Sequence, residues 1–144
     1  MTKSIKWTYL IFFLLAISCS APQPSSQPSS SSDANDQIFR QAFDERARNL
    51  PVKGHGTVKR VLSDDNKGSK HQRFILELAS GQTLLIAHNV DLAPRVSGLQ
   101  EGDEVEFSGE YEWNPEGGVV HWTHHDPRGQ HSAGWLKHGG KTYQ

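Results

Sequence analysis

The segment from Glu104 to Tyr111 alternates between polar and apolar residues at every position. Successive side chains of a β-strand point to opposite faces of its sheet, so this pattern predicts a strand with one buried face and one face toward water. Val105, Phe107 and Tyr111 would lie on the buried face. Because such a strand needs other strands to cover that face, the chain is expected to fold around a β core.

Four other short segments after residue 53 have the composition of strands, namely residues 54–62, 72–78, 82–87 and 119–123. Ser80 and Gly81 form a tight turn between the second and third of them, which predicts a hairpin. Five short strands without a long helical pattern among them favour a small closed barrel. A hairpin, a longer connection containing Pro94 and then the alternating strand are typical of a five-stranded OB-like barrel. An SH3-like barrel and a small sandwich are the alternatives.

Residues 33–50 predict a single N-terminal amphipathic helix before the barrel domain of residues 51–144. Apolar side chains recur there at helical spacing, at Ile38, Phe39, Ala42, Phe43, Ala47 and Leu50. Asp33 or Asp36 can cap the start of the helix, and Pro51 would end it. We expect this helix to pack on the barrel. A helix that binds a membrane surface or a partner is the alternative.

Residues 1–18 have the pattern of an export leader, with Lys3 and Lys6 followed by an apolar run of 11 residues from Trp7 to Ile17. That run fits the core of a signal peptide and is too short to span a bilayer as a helix. Residues 20–32 are rich in serine and proline, a composition that cannot build a core and predicts a tether.

Cys19 follows the small residues at the end of the leader, and the boundary resembles the lipobox of bacterial lipoproteins. The resemblance implies that Cys19 is acylated, for example with palmitate, and anchors the domain to a membrane of the bacterial envelope, facing the periplasm. Ser20 in the next position favours the outer membrane. The alternative is an ordinary secretory leader with an incidental cysteine. Cys19 is the only cysteine, so no intrachain disulfide can stabilise the domain.

The charge balance disfavours a strongly electrostatic nucleic-acid binder. The chain has 15 Lys and Arg residues, two of them in the leader, against 16 Asp and Glu residues. A protein that binds nucleic acid mainly through phosphates carries a basic excess, which is absent here. A local basic patch remains open, so nucleic acid stays among the ligands considered.

Three longer phrases, at residues 71–96, 102–129 and 134–144, resemble an uncharacterised family of small exported bacterial domains. The resemblance covers almost the whole folded part of the chain. It implies an exported, barrel-like domain of unknown function, and it implies neither an activity nor catalytic residues.

Two groups of residues are candidates for contacts to a polar ligand. The first lies in the connection after the third strand, and the second offers aromatic surface for stacking. Together they are His88, Asn89, Asp91, Arg95, Tyr111, Trp113 and Trp122. The alternative is that Asn89 and Asp91 form turns and Arg95 pairs with a carboxylate such as Asp103.

A divalent metal is the one cofactor that the sequence suggests, with His124, His125, Asp126 and His131 as candidate ligands. Their spacing fits neither a strand face nor a helix face, and the alternative is that these side chains are rim residues bonded to the main chain. Residues 84–95 also resemble, over a short stretch, the strand-to-loop passage of thermonuclease-like OB enzymes. The sequence therefore favours a non-catalytic envelope module that binds a polar ligand or an envelope protein. A metal-dependent hydrolase of the phosphodiesterase or nuclease type is the alternative.

Overall fold

The structure is a computed structural model and describes residues 31–144. The predicted leader, Cys19 and most of the tether lie outside the described residues. One helix and seven strands follow in order: α1 (Ser31–Asp44), β1 (Leu50–Val61), β2 (His71–Glu77), β3 (Thr83–Asn89), β4 (Glu104–Glu112), β5 (Val119–His121), β6 (Trp135–His138) and β7 (Lys141–Tyr143). No helix in this part of the chain is long and apolar enough to cross a membrane.

Strands β1 to β5 close into a barrel. The sheet runs β1-β2-β3-β5-β4, and β4 pairs back to β1. β3 and β5 are parallel, and the other pairs of the barrel are antiparallel. This confirms the prediction of a mainly β fold with a small five-stranded OB-like barrel and one N-terminal helix. The connection between β3 and β4 carries turns and no helix.

The barrel interior is filled by the apolar side chains that alternate along the strands. The largest that are fully buried are Phe74, Leu76, Leu84, Ile86, Phe107, Tyr111 and Leu136. On β4, Val105, Phe107 and Tyr111 point inward, while Glu104 and Glu106 are exposed. The facing predicted from the alternation of this strand is therefore correct.

Helix α1 closes one end of the barrel. Phe39 is fully buried, and its ring centroid lies 5.7 Å from that of Phe107 and 6.3 Å from that of Tyr111. Gln82 Nε2 donates to the Phe39 carbonyl over 3.3 Å, and Asp36 accepts a hydrogen bond from the Ser80 amide. Helix and barrel are thus joined both by core packing and through the β2–β3 turn.

The helix ends at Asp44, six residues before the predicted end at Leu50. Arg46 adopts a left-handed φ of 52°, and the Ala47 amide donates to the Ala42 carbonyl over 2.8 Å, as in a Schellman-type cap. Leu50 belongs to β1 and pairs with Tyr111. Pairing with β4 decides the structure here, although the apolar spacing of the sequence continues the helical pattern.

The C-terminal hairpin of β6 and β7 was not predicted, and it changes the outer face of β4. β5 pairs with β4 at residues 110–112, and β6 takes the same edge at residues 106–108. The loop between β5 and β6 (residues 122–134) runs over this face. It lies so close to β4 that a Cβ added at Gly134 would be 2.6 Å from the Ser108 carbonyl oxygen. Ser108 and Glu110 are consequently buried, whereas the alternating pattern had placed them toward water.

Candidate ligand-binding cleft

A cleft of about 760 Å³ lies on the outside of the barrel, where β3 and β5 end and β2 begins. The barrel wall contributes His71, Ala87, Asn89 and His121 to its lining. The β5–β6 loop contributes Trp122, His124, Asp126, Arg128 and His131. Four histidine rings and one tryptophan ring therefore contribute to the cleft.

The register of the strands explains why the wall residues face this cleft. His71 of β2 pairs with Asn89 of β3, and the alternation of both strands directs Gln72 and His88 to the interior. β5 runs parallel to β3, and its Val120 points inward. The neighbouring His121 is therefore turned outward, on the same face as Asn89.

The β5–β6 loop is held in shape by one carboxylate. Asp126 accepts hydrogen bonds from the backbone amides of Arg128, Gln130 and His131 over 2.5 to 2.9 Å. These amides, that of Arg128 first, lower the pKa of Asp126, so the carboxylate stays charged. Because its oxygens already accept three hydrogen bonds, Asp126 braces the loop and has little capacity left for a ligand.

A stacked pair fixes the loop against the barrel. The Trp122 and His131 rings lie 3.7 Å apart at an angle of 15°. His131 Nδ1 in turn donates to the buried Glu110 carboxylate over 2.9 Å. Trp122 itself has a φ of 52°, a left-handed conformation that is uncommon for a residue with a bulky side chain and is often found at functional sites. The chain thus turns sharply out of β5 to place this ring beside the cleft.

Three of the cleft histidines share one hydrogen-bonding arrangement. His71 Nδ1 donates to the Ser69 carbonyl and His124 Nδ1 to the His125 carbonyl, each over 2.8 Å. His131 Nδ1 donates to Glu110. The acceptors are all oxygens, so the proton of each neutral ring resides on Nδ1. Within residues 31–144 the Nε2 atoms of these rings have no hydrogen-bond partner, and they remain available to a ligand.

His121 has an unsatisfied atom at the cleft. Its Nε2 is enclosed and has no hydrogen-bond partner in the described part of the chain. Burial lowers the pKa of His121, against the opposing effect of Glu110 and Glu112, so the ring is neutral near pH 7. A buried polar atom without a partner costs about 1–3 kcal/mol, and here that atom belongs to a residue of the cleft lining.

The profile of one protein family, described as protein of unknown function (DUF3465), matches residues 23–144. The chain belongs to this family. The match spans the helix and the entire barrel, and it confirms the resemblance to a family of unknown function that the sequence showed. A search of curated proteins found no match to the chain.

Two predicted ligand contacts of this DUF3465 domain lie in the interior instead. His88 is fully buried, with Nε2 donating to the Pro94 carbonyl over 3.1 Å and Nδ1 accepting from the Thr123 hydroxyl over 2.9 Å. Burial lowers the pKa of His88 to about 4. Tyr111 is also fully buried, and its hydroxyl donates to the Gly117 carbonyl. Neither side chain offers a surface to a ligand, because strand alternation turns both inward.

The other predicted contacts are divided between the cleft and unrelated surfaces. Asn89 and Trp122 line the cleft. Arg95 forms an ion pair with Asp64 and not with Asp103. Asp91 accepts a hydrogen bond from the Lys70 amide over 2.8 Å. Trp113 packs against the core near Phe43, at a ring distance of 6.1 Å. The cleft therefore draws together only part of the predicted set.

The four predicted metal ligands do not assemble. His124, Asp126 and His131 line the cleft, whereas His125 is exposed and lies outside its lining. Between residues 31 and 144, no group of three or more His, Cys, Asp or Glu side chains is arranged to hold a metal ion. The four predicted ligands therefore form no metal site within these residues, and Asp126 is already bound by three backbone amides.

Sequence reasoning missed His71 and Arg128 and set His121 aside. The signal for His71 and His121 was present, because each is the outward neighbour of an inward residue, Gln72 and Val120. Arg128 carried no such signal, since its position depends on the loop that Asp126 braces.

Proposed function

We propose that this DUF3465 domain is a non-catalytic binding module and that its ligand occupies the cleft at the ends of β3 and β5. The observation that carries the proposal is His121, a residue of the cleft lining whose enclosed Nε2 has no partner in residues 31–144. In OB-like barrels the outer face of the second and third strands is a common binding surface. The cleft begins on that face and also has a volume in the range of small-molecule sites.

The state of the carboxylates favours binding over hydrolysis. A general base must be free to take a proton from a nucleophile that lies within hydrogen-bond reach. Asp126 accepts three backbone amides, and Glu110 is buried against His131. Both carboxylates at the cleft therefore hold the loop, which supports a recognition role over a metal-dependent hydrolase.

We propose further that Cys19 is acylated and holds the domain on a bacterial envelope membrane, facing the periplasm and most simply on the outer membrane. The support is the leader, the lone cysteine and the serine-rich tether that the sequence places before the domain. The partners are then the membrane itself and a polar ligand or an envelope protein.

Anchoring is tested with Cys19→Ala in cells that process lipoproteins. We expect the variant to leave the membrane fraction, because each acyl CH₂ contributes about 0.8 kcal/mol to membrane binding and the variant has no acyl chain. Immunoblots of soluble and membrane fractions measure the change. An Ala variant that stays with the membrane would contradict the lipid anchor while leaving the binding proposal intact.

The binding proposal is tested with a variant that fills the cleft. Ala87 lies in its wall, so Ala87→Phe should fill the space without disturbing the core. Leu85→Phe, at the next outward position of β3 and outside the lining, is the matched control. A disaccharide, a dipeptide, a tetranucleotide and a set of small aromatic acids would be screened by NMR.

We expect at least one of these probes to shift the amide signals of Asn89 and Arg128 in the native domain and in the control. Ala87→Phe should abolish those shifts. Probe binding that Ala87→Phe leaves unchanged would place the site elsewhere on the barrel and would contradict the proposal.

A further inference from the structure

We infer that the ligand of the cleft is a small organic molecule bearing an oxyanion, which the cleft holds with imidazolium Nε2–H groups and the Arg128 guanidinium. This inference rests on the proposed binding function and specifies its chemistry. The titratable groups at the cleft are His71, His121, His124, His131, Asp126 and Arg128, with Glu110 and Glu112 behind them.

The charges that remain available in the cleft are positive. Asp126 is the lining carboxylate, and three backbone amides already bind its oxygens. Glu110 is buried and bound to His131. Arg128 lines the cleft, and within the described residues its guanidinium has no carboxylate partner within 4 Å. A guanidinium with free donors suits carboxylates and phosphates, which it can bind with two parallel hydrogen bonds.

The fixed Nδ1 protons decide how the histidines can bind. In His71, His124 and His131 the Nδ1–H is committed to a protein oxygen, so a neutral ring offers the cleft only an Nε2 acceptor. Protonation adds a proton at Nε2 and converts the acceptor into a charged donor. The arrangement is thus prepared to present donors to an anion.

A cation fits the cleft less well. A metal ion would require three converging ligands, and between residues 31 and 144 no such group exists. An organic cation would find no free carboxylate, because those at the cleft are committed. The volume of about 760 Å³ also exceeds what an inorganic ion needs and lies within the range for organic ligands.

The pH dependence follows from the same groups. Protonation of an imidazole adds a donor at Nε2, so acidification can only add donors to the cleft. Asp126 does not cancel this gain, because its backbone partners lower its pKa and its charge therefore stays constant over this pH range. Binding of an anion whose own charge is constant should therefore strengthen as the pH falls.

Benzenesulfonate and benzenesulfonamide provide the test, since they have nearly the same shape and only the first is charged. NMR titrations between pH 7.5 and 5.5 would follow the Trp122 indole N–H and the Arg128 amide. We expect benzenesulfonate to bind roughly fivefold or more tightly at the lower pH, the effect of about one added charge-assisted hydrogen bond. Benzenesulfonamide should bind weakly at both pH values. Parallel titrations with benzoate and phenyl phosphate at pH 7.5 show which oxyanion is preferred.

Four variants locate the effect. His124→Gln should reduce the pH dependence of benzenesulfonate binding, and Arg128→Gln should weaken binding by roughly fivefold at every pH. His55→Gln and Arg60→Gln are the controls, because both residues are exposed on β1 away from the cleft. The controls should behave as the native domain does.

Two results in which a compound does bind overturn the inference and leave the binding module standing. One is equal binding of benzenesulfonamide with the same shifted signals, which would indicate a neutral ligand. The other is binding of benzenesulfonate that weakens on acidification. If neither compound shifts the cleft signals, the anion inference is wrong, and the Ala87→Phe screen decides separately whether the cleft binds anything.

Discussion

A histidine on the inner face of the barrel wall and a histidine on the outer face differ in their hydrogen bonding. His88 on β3 points inward and has a protein partner at both ring nitrogens. His121 on the neighbouring β5 faces outward, and its Nε2 has none among the described residues. Gln72, also turned inward, is bonded to both the amide and the carbonyl of Val96. The two inward side chains thus have protein partners for their polar atoms, whereas His121 in the cleft wall has a ring nitrogen without one in the described residues.

The largest expected difference in stability between an inward and an outward side chain lies on β4. Phe107 is fully buried, so Phe107→Ala should destabilise the domain by about 3–5 kcal/mol, a large part of the stability of a small domain. Glu106→Ala, on the exposed face, should change the free energy of unfolding by less than about 0.5 kcal/mol. Urea denaturation measures both. A larger loss from Glu106→Ala would mean that the faces of β4 are assigned the wrong way round.

Acidification should destabilise the domain through the buried His88. The pKa of His88 is about 4 in the folded state, against 6.5 for an ordinary imidazole. Below pH 6.5 the unfolded chain therefore binds a proton that the folded domain excludes, and stability falls as the pH drops toward 4. The loss attributable to His88 should reach about 3 kcal/mol.

Urea denaturation at several pH values measures this loss. His88→Leu provides the comparison, because it removes the titrating group and should flatten the dependence between pH 6.5 and 4. A profile that is equally steep in His88→Leu would assign the acid sensitivity to other groups.

A matched pair of substitutions gives the smallest effects. His88→Leu leaves the Thr123 hydroxyl and the Pro94 carbonyl without their buried partner and should cost about 1–3 kcal/mol at pH 7.5. His121→Leu removes an atom that has no partner in residues 31–144, so stability should stay within about 1 kcal/mol of the native value. Thermal denaturation compares the two. Equal losses would show that the His121 ring is bonded in solution and that the two faces are alike.

Much of the barrel could be predicted because its wall follows local rules. Alternation along β4 and the short turn between β2 and β3 are visible in the sequence, and both assign strands correctly. The hairpin of β6 and β7 was not predicted, because its strands have only four and three residues and show no extended alternation of polar and apolar residues. They form strands because β4 offers an edge that β5 covers only in part.

The candidate site was less predictable, because it depends on contacts between distant segments. The alternation Leu84, Ile86, His88 would have placed His88 inside, and its position near a connection was given too much weight. The remainder of the cleft depends on the β5–β6 loop. The hydrogen bonds of Asp126, the bond between His131 and Glu110 and the stacking of Trp122 on His131 fix that loop, and none of these follows from spacing in the sequence.

The pairing of β1 with β4 determines how the domain folds. It joins Leu50 to Tyr111 and Thr57 to Glu104, so each of its pairs closes a long loop of chain before it gains any stabilisation. Folds of such high contact order form slowly and in a single cooperative step. The cleft is built from β2 and β3, which lie between the two paired strands in sequence, and from the β5–β6 loop, which follows them. No shorter fragment of residues 31–144 would therefore be expected to retain it, and a ligand-binding surface would arise only when the barrel closes.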